Sequence, residues 1–284
     1  MSGRRTLAAV AGKTAVRFAL GVGVLIMLVP LYVLIINAFK SQEDVSASPF
    51  GLPWGRLTFA HLRAALNNPD FNVVRAYGIT ILFVVLVNVV SLVVTAPVSY
   101  VIARGRKRMH VALLLMFVAG TFIPNQVLLI PVVYVLKALG LMGTIPGFVL
   151  FETCLTIPFS VFLYSAYIRT ISPELDEAAA IDGAGRIRTF WLIVFPLMRP
   201  VVATAVILHS LSIWNDFVDP QIILGPQSGL YTVTTGVYAA VGQYSTNYTV
   251  LFPNLLLAVA PALAFFVVMQ RFIVSGLTSG ATKG

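Results

Sequence analysis

Ionisable side chains are few, and the candidates for chemistry are one acidic cluster and a scatter of polar residues in or beside the apolar runs. Glu174, Asp176, Glu177 and Asp182 crowd one short stretch, and Arg186 and Arg188 follow in the run EAAAIDGAGRIRTFWLIVFP at 177–196. Glu152, His209, Asn215 and Asp216 lie within or at the rim of apolar runs. Clustered acids can serve metal or general acid–base chemistry, but the first group reads as a helix start. Ser172 suits the N-cap, Pro173 the first helical position, and the acids face the positive end of the helix dipole. Leu175 stands where a capping box would need Glu or Gln. His61, His110 and His209 show no metal-ligand spacing, and Cys154 is the only cysteine, which leaves no intrachain disulfide and no CxxC pair. There is no GxxxxGK[ST] phosphate loop, and Gly183-Ala184-Gly185 lacks the last glycine of GxGxxG. The chain is therefore not expected to hydrolyse ATP, to be an enzyme, or to hold a cofactor or metal.

The elements that must position these residues are written in the composition. Of 284 residues 58% are apolar and only 10% charged, against roughly 25% charged in a soluble domain, and mean hydropathy is +0.93. Such a chain is an all-α, polytopic membrane protein, and one membrane domain over 1–284 is expected. A spanning helix needs ~20 mostly apolar residues, which predicts six spans at about 16–38, 77–103, 111–136, 147–168, 200–218 and 250–272. The first is too long for a signal-peptide core and reads as an uncleaved anchor. The net charge of +9 would suggest nucleic acid in a soluble protein, but here the charges sit between the spans. Fourteen of the 19 Lys and Arg fall in the N-tail, the 104–108 turn, the 169–199 region and the C-tail. Basic loops stay on the cytoplasmic side, so both termini and the 171–197 loop are expected there, with 39–76 and 219–249 outside. Prolines 30, 97, 124, 131, 158, 253 and 261 interrupt the spans, which lipid tolerates where neighbouring helices or a wet cavity satisfy the freed backbone.

Within the charged stretch, a first helix continues through Ala178-Ala179-Ala180-Ile181, Gly183 and Gly185 allow a turn, and a second short helix, Arg186 to Phe195, is ended by Pro196. A small-sided helix–turn–helix dotted with both charges suits a protein partner or a plain interfacial connection. Glu177-Ala178-Ala179, then Gly183, then Ile193-x-Phe195-Pro196 resembles the cytoplasmic EAA loop of permease subunits in bacterial ABC importers. Phe195 stands where that family usually has Leu. Asn37-Ala38-Phe39-Lys40, Ile123-Pro124-Asn125-Gln126, Leu139-Gly140-Leu141, Trp214-Asn215-Asp216-Phe217 and the ending Gly276-Leu277-Thr278-Ser279-Gly280 narrow the resemblance to the carbohydrate-uptake branch, similar to the smaller maltose-transporter permease subunit.

That resemblance implies the ABC type I importer permease fold in a bacterial cytoplasmic membrane. It implies a second homologous permease chain as heterodimer partner, a separate ATPase dimer that binds ATP and Mg, and an extracytoplasmic solute-binding protein docking on the two outer loops. It also implies ATPase coupling through Glu177, Ala178, Ala179, Asp182, Gly183 and Ala184, with the turn at 182–184 entering a cleft on the ATPase. For the substrate path, Asn88, Ser91, Thr95 and Ser99 share one face of the second span, and His209, Ser212 and Asp216 one face of the fifth with Asn215 beside them. Such stripes line a polar path or glue helices together. Asn125 and Gln126 beside Pro124, and Glu152 beside Phe151, complete the candidates. In the outer loop, Val233, Val237, Ala240, Val241 and Tyr244 have helical spacing. A secondary transporter is the competing class; it needs mid-membrane ionisable groups, of which His209 alone lies well inside a span. A polytopic membrane enzyme is the third.

Overall fold

The computed structural model describes residues 2–52, 57–67, 72–241 and 247–278, with backbone alone at 2–12, 240–241 and 271–278. Tyr244, of the expected outer amphipathic helix, lies outside them. Among the described residues there is no strand. The helices are α1 Ser2–Asn37, α2 Gln42–Ala47, α3 Ala60–Leu66, α4 Val73–Arg104, α5 Arg108–Gly120, α6 Asn125–Ala138, α7 Ile145–Ile168 and α8 Glu174–Ile181. They continue with α9 Arg186–Thr189, a π-helical turn Phe190–Val194, α10 Phe195–Leu197, α11 Arg199–Asn215, α12 Val218–Ile223, a 3₁₀ turn Pro226–Ser228, α13 Val233–Val241 and α14 Tyr248–Thr278.

Four helical stretches are long and apolar enough to cross a bilayer: Lys13–Asn37, Val73–Arg104, Ile145–Ile168 and Tyr248–Gln270. Two further stretches qualify only if a bent pair is taken as one span. The run expected as the third span, interrupted by Pro124 and Pro131, breaks by 99° between α5 and α6. Pro124 supplies the break, since it has no N–H to offer and takes an extended ψ of 128° ahead of α6. At 1.5 Å per residue each half reaches only about 20 Å, short of the roughly 30 Å hydrocarbon core. A 74° bend between the Arg186–Leu197 segment and α11 lies just ahead of the expected fifth span, and α11 stops at Asn215, short of residue 218. In α4, Pro97 is accommodated without a break in the helix.

Contacts group the described residues into two compact units. One comprises residues up to Asn72 and Val237–Val259. In it the Asn37-Ala38-Phe39-Lys40 stretch turns back on itself. Asn37 Nδ2 donates to the carbonyls of Val33 and Pro49 at 2.8 and 2.9 Å, and buried Lys40 donates to Ser48 O at 2.8 Å.

The other unit comprises Val73–Gly236 and the residues from Ala260 on. Its centre is α4, which contributes to both apolar cores. Phe83 and Val87 join Leu129 and Leu136 of α6, Phe148 and Phe151 of α7, and Ile213 of α11. Ala96 and Tyr100 join Tyr164 and Ile168 of α7, Phe190 and Val194 of the π turn, and Val201 and Ala205 of α11. The opposite faces of α4 are bare, with Ile81, Val85, Val89, Val93 and Val101 exposed. Side chains of this kind belong against lipid, where association rests on packing and polar contacts between helices.

Candidate functional site

The 171–197 segment folds as the expected helix–turn–helix, with three local differences. First, α8 begins at Glu174 with Pro173 at the cap position, and Ser172 Oγ accepts from the Glu174 N–H at 3.3 Å, one residue later than the spacing predicts. Second, only one of the two glycines needs its freedom: Gly183 has φ +78°, whereas Gly185 has φ −69°. Gly183 N–H donates to Ala180 O at 3.1 Å and Ala184 N–H to Ala179 O at 2.9 Å. That is the paired C-terminal closure of a helix through a left-handed residue. Third, Pro196 does not end the second helix. The chain widens into the π turn, where Phe195 N–H reaches Phe190 O, and stays helical to Leu197. The wider turn absorbs the proline, a role such bulges commonly take.

Of the expected coupling residues, Ala179 is buried, Ala184 half-buried, and Glu177, Ala178, Asp182 and Gly183 exposed. A Cβ on Gly183 would meet nothing within 4 Å, so the turn projects freely. Beside it, Ile181 and Ile187 are 87% and 78% exposed. Gly185, Arg186, Ile187, Arg188 and Trp191 shape an open concavity of about 580 Å³. The edge is thus apolar, cationic and protruding.

The second group of polar residues meets in a cavity of about 670 Å³. Asn125 and Gln126 from the first turn of α6, Glu152 from α7, His209, Ser212 and Asn215 from α11, and Asp216 just beyond it all line this space. Asn88 does not: it packs between helices, its Nδ2 donating to Val84 O at 2.8 Å and to Ser210 Oγ of α11 at 3.2 Å. The rest of the α4 stripe is also used for packing. Ser91 accepts from Thr156 Oγ1 of α7 at 2.9 Å, and Thr95 and Ser99 bond back to their own helix.

The spacing of the sequence missed Asp219. It sits in the first turn of α12, and one carboxylate oxygen each from Glu152, Asp216 and Asp219 lie within 4.8 Å of one another. The signal was present as Asp216-x-x-Asp219, which an Asx-type turn of the extended Asp216 at the start of α12 folds together. Asp216 Oδ1 accepts from the backbone N–H groups of Val218 and Asp219 at 3.0 and 3.3 Å, which fixes its rotamer. Glu152 is 6% exposed, and its Oε1 has no hydrogen-bond partner. Burial, and then the charge of Asp216, pushes the Asp219 carboxyl up to about 7. Among the described residues no Lys or Arg lines this cavity. His209 Nε2 lies 3.4 Å from Ser160 Oγ, with its ring edge-on to Phe159 at 6.1 Å. Three oxygens so placed have the chemistry of a hard-cation site; together with three carboxamides and an aromatic ring they equally suit a polyhydroxylated solute.

Residues 95–278 match the family model described as binding-protein-dependent transport system inner membrane component. The chain is 32% identical over 269 residues to a multiple sugar-binding transport system permease protein of Streptococcus mutans, covering 93% of this chain and 95% of that one. It is 30% identical over 260 residues to a melibiose/raffinose/stachyose import permease protein of Bacillus subtilis, covering 90% and 91%. In fold it is similar to a chain of a bacterial ABC transporter involved in the import of the acidic polysaccharide alginate. The TM-score is 0.79 at 21% identity, covering 91% of this chain and 95% of that one.

Proposed function

The chain belongs to the family of binding-protein-dependent transport system inner membrane components, multi-pass permeases of the cytoplasmic membrane, and we propose that it forms half of the solute path of an ATP-driven carbohydrate importer. The observation that carries the proposal is the 172–197 hairpin. It is a rigid, protruding edge closed by a left-handed glycine, in a chain with no nucleotide-binding loop of its own. A separate ATPase dimer would hold ATP and Mg and take the turn at Asp182, Gly183 and Ala184 into a cleft, with Glu177, Ala178 and Ala179 on the same hairpin. A second permease chain would complete the path, and an extracytoplasmic binding protein would deliver the solute to the loops at 39–76 and 219–249. Both termini and the hairpin then face the cytoplasm, as the distribution of Lys and Arg requires.

For the solute, the acidic cavity supports neutral saccharides over uronates and sugar phosphates. Carboxylates and carboxamides accept and donate hydrogen bonds to hydroxyls, Phe159 offers a ring face, and a cluster of acids without a lining cation repels an anion. Glu152, Asn125, Gln126, His209, Ser212, Asn215 and Asp216, with Asp219, would line this chain's share of the path, and Asn88 would hold α4 against α11 beside it.

The same acids keep a second reading in view, since an ion-coupled carrier also gathers buried ionisable groups. One experiment separates the two. The tagged chain is purified from its host in mild detergent and its companions identified by mass spectrometry. Recovery of a second permease, an ATPase and a solute-binding protein supports the importer. Recovery of the chain alone, still able to take up melibiose or raffinose on an ion gradient, overturns it.

A further inference from the structure

The contacts at the inner face of the hairpin do more than close a loop. Asp176, in the first turn of α8, is turned toward α4 and not toward water. Its Oδ2 lies 2.8 Å from Arg104 Nη2, and its Oδ1 accepts from the Tyr100 hydroxyl. Arg104, the last residue of α4, also donates through Nη1 to Ile171 O at 2.9 Å and through Nη2 to Ser172 O at 3.5 Å. One guanidinium thereby holds both the acid of α8 and the backbone that follows α7. The Tyr100 ring packs on Phe190 of the π turn at 5.3 Å. The Arg104 and Asp176 side chains are 17% and 20% exposed, so the pair is only weakly screened. Glu174 and Glu177, from the same helical turn, are exposed; a helix-dipole role would be filled by either, and it does not require Asp176 to be partnered across the interface.

We propose that Tyr100, Arg104 and Asp176 form a latch that makes the hairpin and α4 a single lever. Displacement of the hairpin is delivered to α4, and through the two apolar cores that α4 shares with α7 and α11 it reaches the helices bearing Glu152 and His209. The three are positioning residues: they touch neither nucleotide nor solute. The inference rests on the reading that the hairpin docks on an ATPase, and it adds which part of the membrane bundle receives the motion.

The test uses the purified complex with its ATPase, in a Cys154→Ser background with a spin label at Val85→Cys, an exposed position on α4. ATP hydrolysis and the ATP-dependent change in label mobility are measured together. Asp176→Asn is isosteric and removes the charge. It is expected to leave assembly and hydrolysis in place while the mobility change per ATP hydrolysed falls roughly tenfold, the scale of a lost charge-assisted contact. Asp176→Glu, which keeps the charge, is expected to restore most of it, and Tyr100→Phe to give an intermediate loss if Asp176→Asn does not assemble. A wild-type label response in Asp176→Asn, or an equal loss in Asp176→Asn and Asp176→Glu, overturns the latch. A tagged chain that purifies without any ATPase overturns the docking reading and the latch with it, whereas a wild-type complex that hydrolyses ATP but shows no label response overturns the latch alone.

Discussion

The hairpin end of the 73–236 unit and its acidic cavity spend their polar groups in opposite ways. At the hairpin opposite charges meet: Arg104 binds Asp176 and two carbonyls, with its Nε left without a partner, and the helix end is closed by its own backbone. The groups left outward are apolar, Ile181 and Ile187. In the cavity three acids share one small volume with no cation lining it, and an oxygen of buried Glu152 is unmatched. Opposite charges held together across an interface tie its two sides, while like charges gathered in one volume leave room for a partner of other chemistry. On the proposed function, the first region is the joint that transmits force between proteins and the second the receptacle.

If that contrast holds, the largest effect comes from the joint. Gly183→Asp is expected to fold and insert, because a Cβ there meets no atom within 4 Å, yet to abolish transport. The backbone term is only about 1–2 kcal/mol for a left-handed non-glycine residue. Gly183→Asn, a residue that tolerates this conformation, sharpens the point. It should insert as wild type does, and its transport should still fall, because the side chain holds the docking faces apart. Membrane yield and uptake measured on the two variants decide between clearance and charge; full uptake by Gly183→Asn would assign the loss in Gly183→Asp to its charge and contradict the clearance argument.

A smaller effect belongs to the receptacle. Glu152→Gln keeps the shape and removes one acid, and uptake of a neutral trisaccharide such as raffinose should drop about tenfold, the scale of one charge-assisted hydrogen bond. Inhibition by an added uronate should grow stronger in the same variant. An unchanged rate with unchanged uronate sensitivity would place Glu152 outside the path.

The smallest effect is on stability. The Asp219 carboxyl titrates near 7 in the fold and near 4 in an unfolded chain. Between those values the folded state binds more protons, so stability falls as pH rises from about 4 to about 7 and levels off above. Thermal unfolding of the purified complex should follow that trend, and Asp219→Asn should flatten it. A slope that survives the substitution would assign the titration to another group.

How far the sequence alone discloses these regions follows from how each is assembled. The hairpin is contiguous, so its cap, its acids and its glycine are adjacent letters, and a local motif predicts a local structure. Its hold on α4 was not legible: Tyr100 and Asp176 are far apart in the chain, and no periodicity links them. The cavity draws on α6, α7, α11 and α12, and of its acids only the Asp216–Asp219 spacing is local. Sequence spacing placed Asn88 with the path because a polar stripe looks the same whether it lines water or glues helices; packing against Ser210 puts it in the second role. The spans are legible where apolar length decides, as in α4 and α7. At the α5–α6 break Pro124 marks the place in the sequence, but hydropathy stays high across it and does not disclose the 99° turn.

The most direct test of the central claim is uptake of radiolabelled raffinose or melibiose into proteoliposomes holding the purified complex and its binding protein, with internal ATP and an ion gradient varied independently. Uptake that requires hydrolysable ATP, persists when an ionophore collapses the gradient, and disappears in Gly183→Asp is the predicted result. Uptake that follows the gradient and is indifferent to ATP and to Gly183→Asp would contradict it, and would turn the acidic cavity from a sugar path into an ion-coupling site.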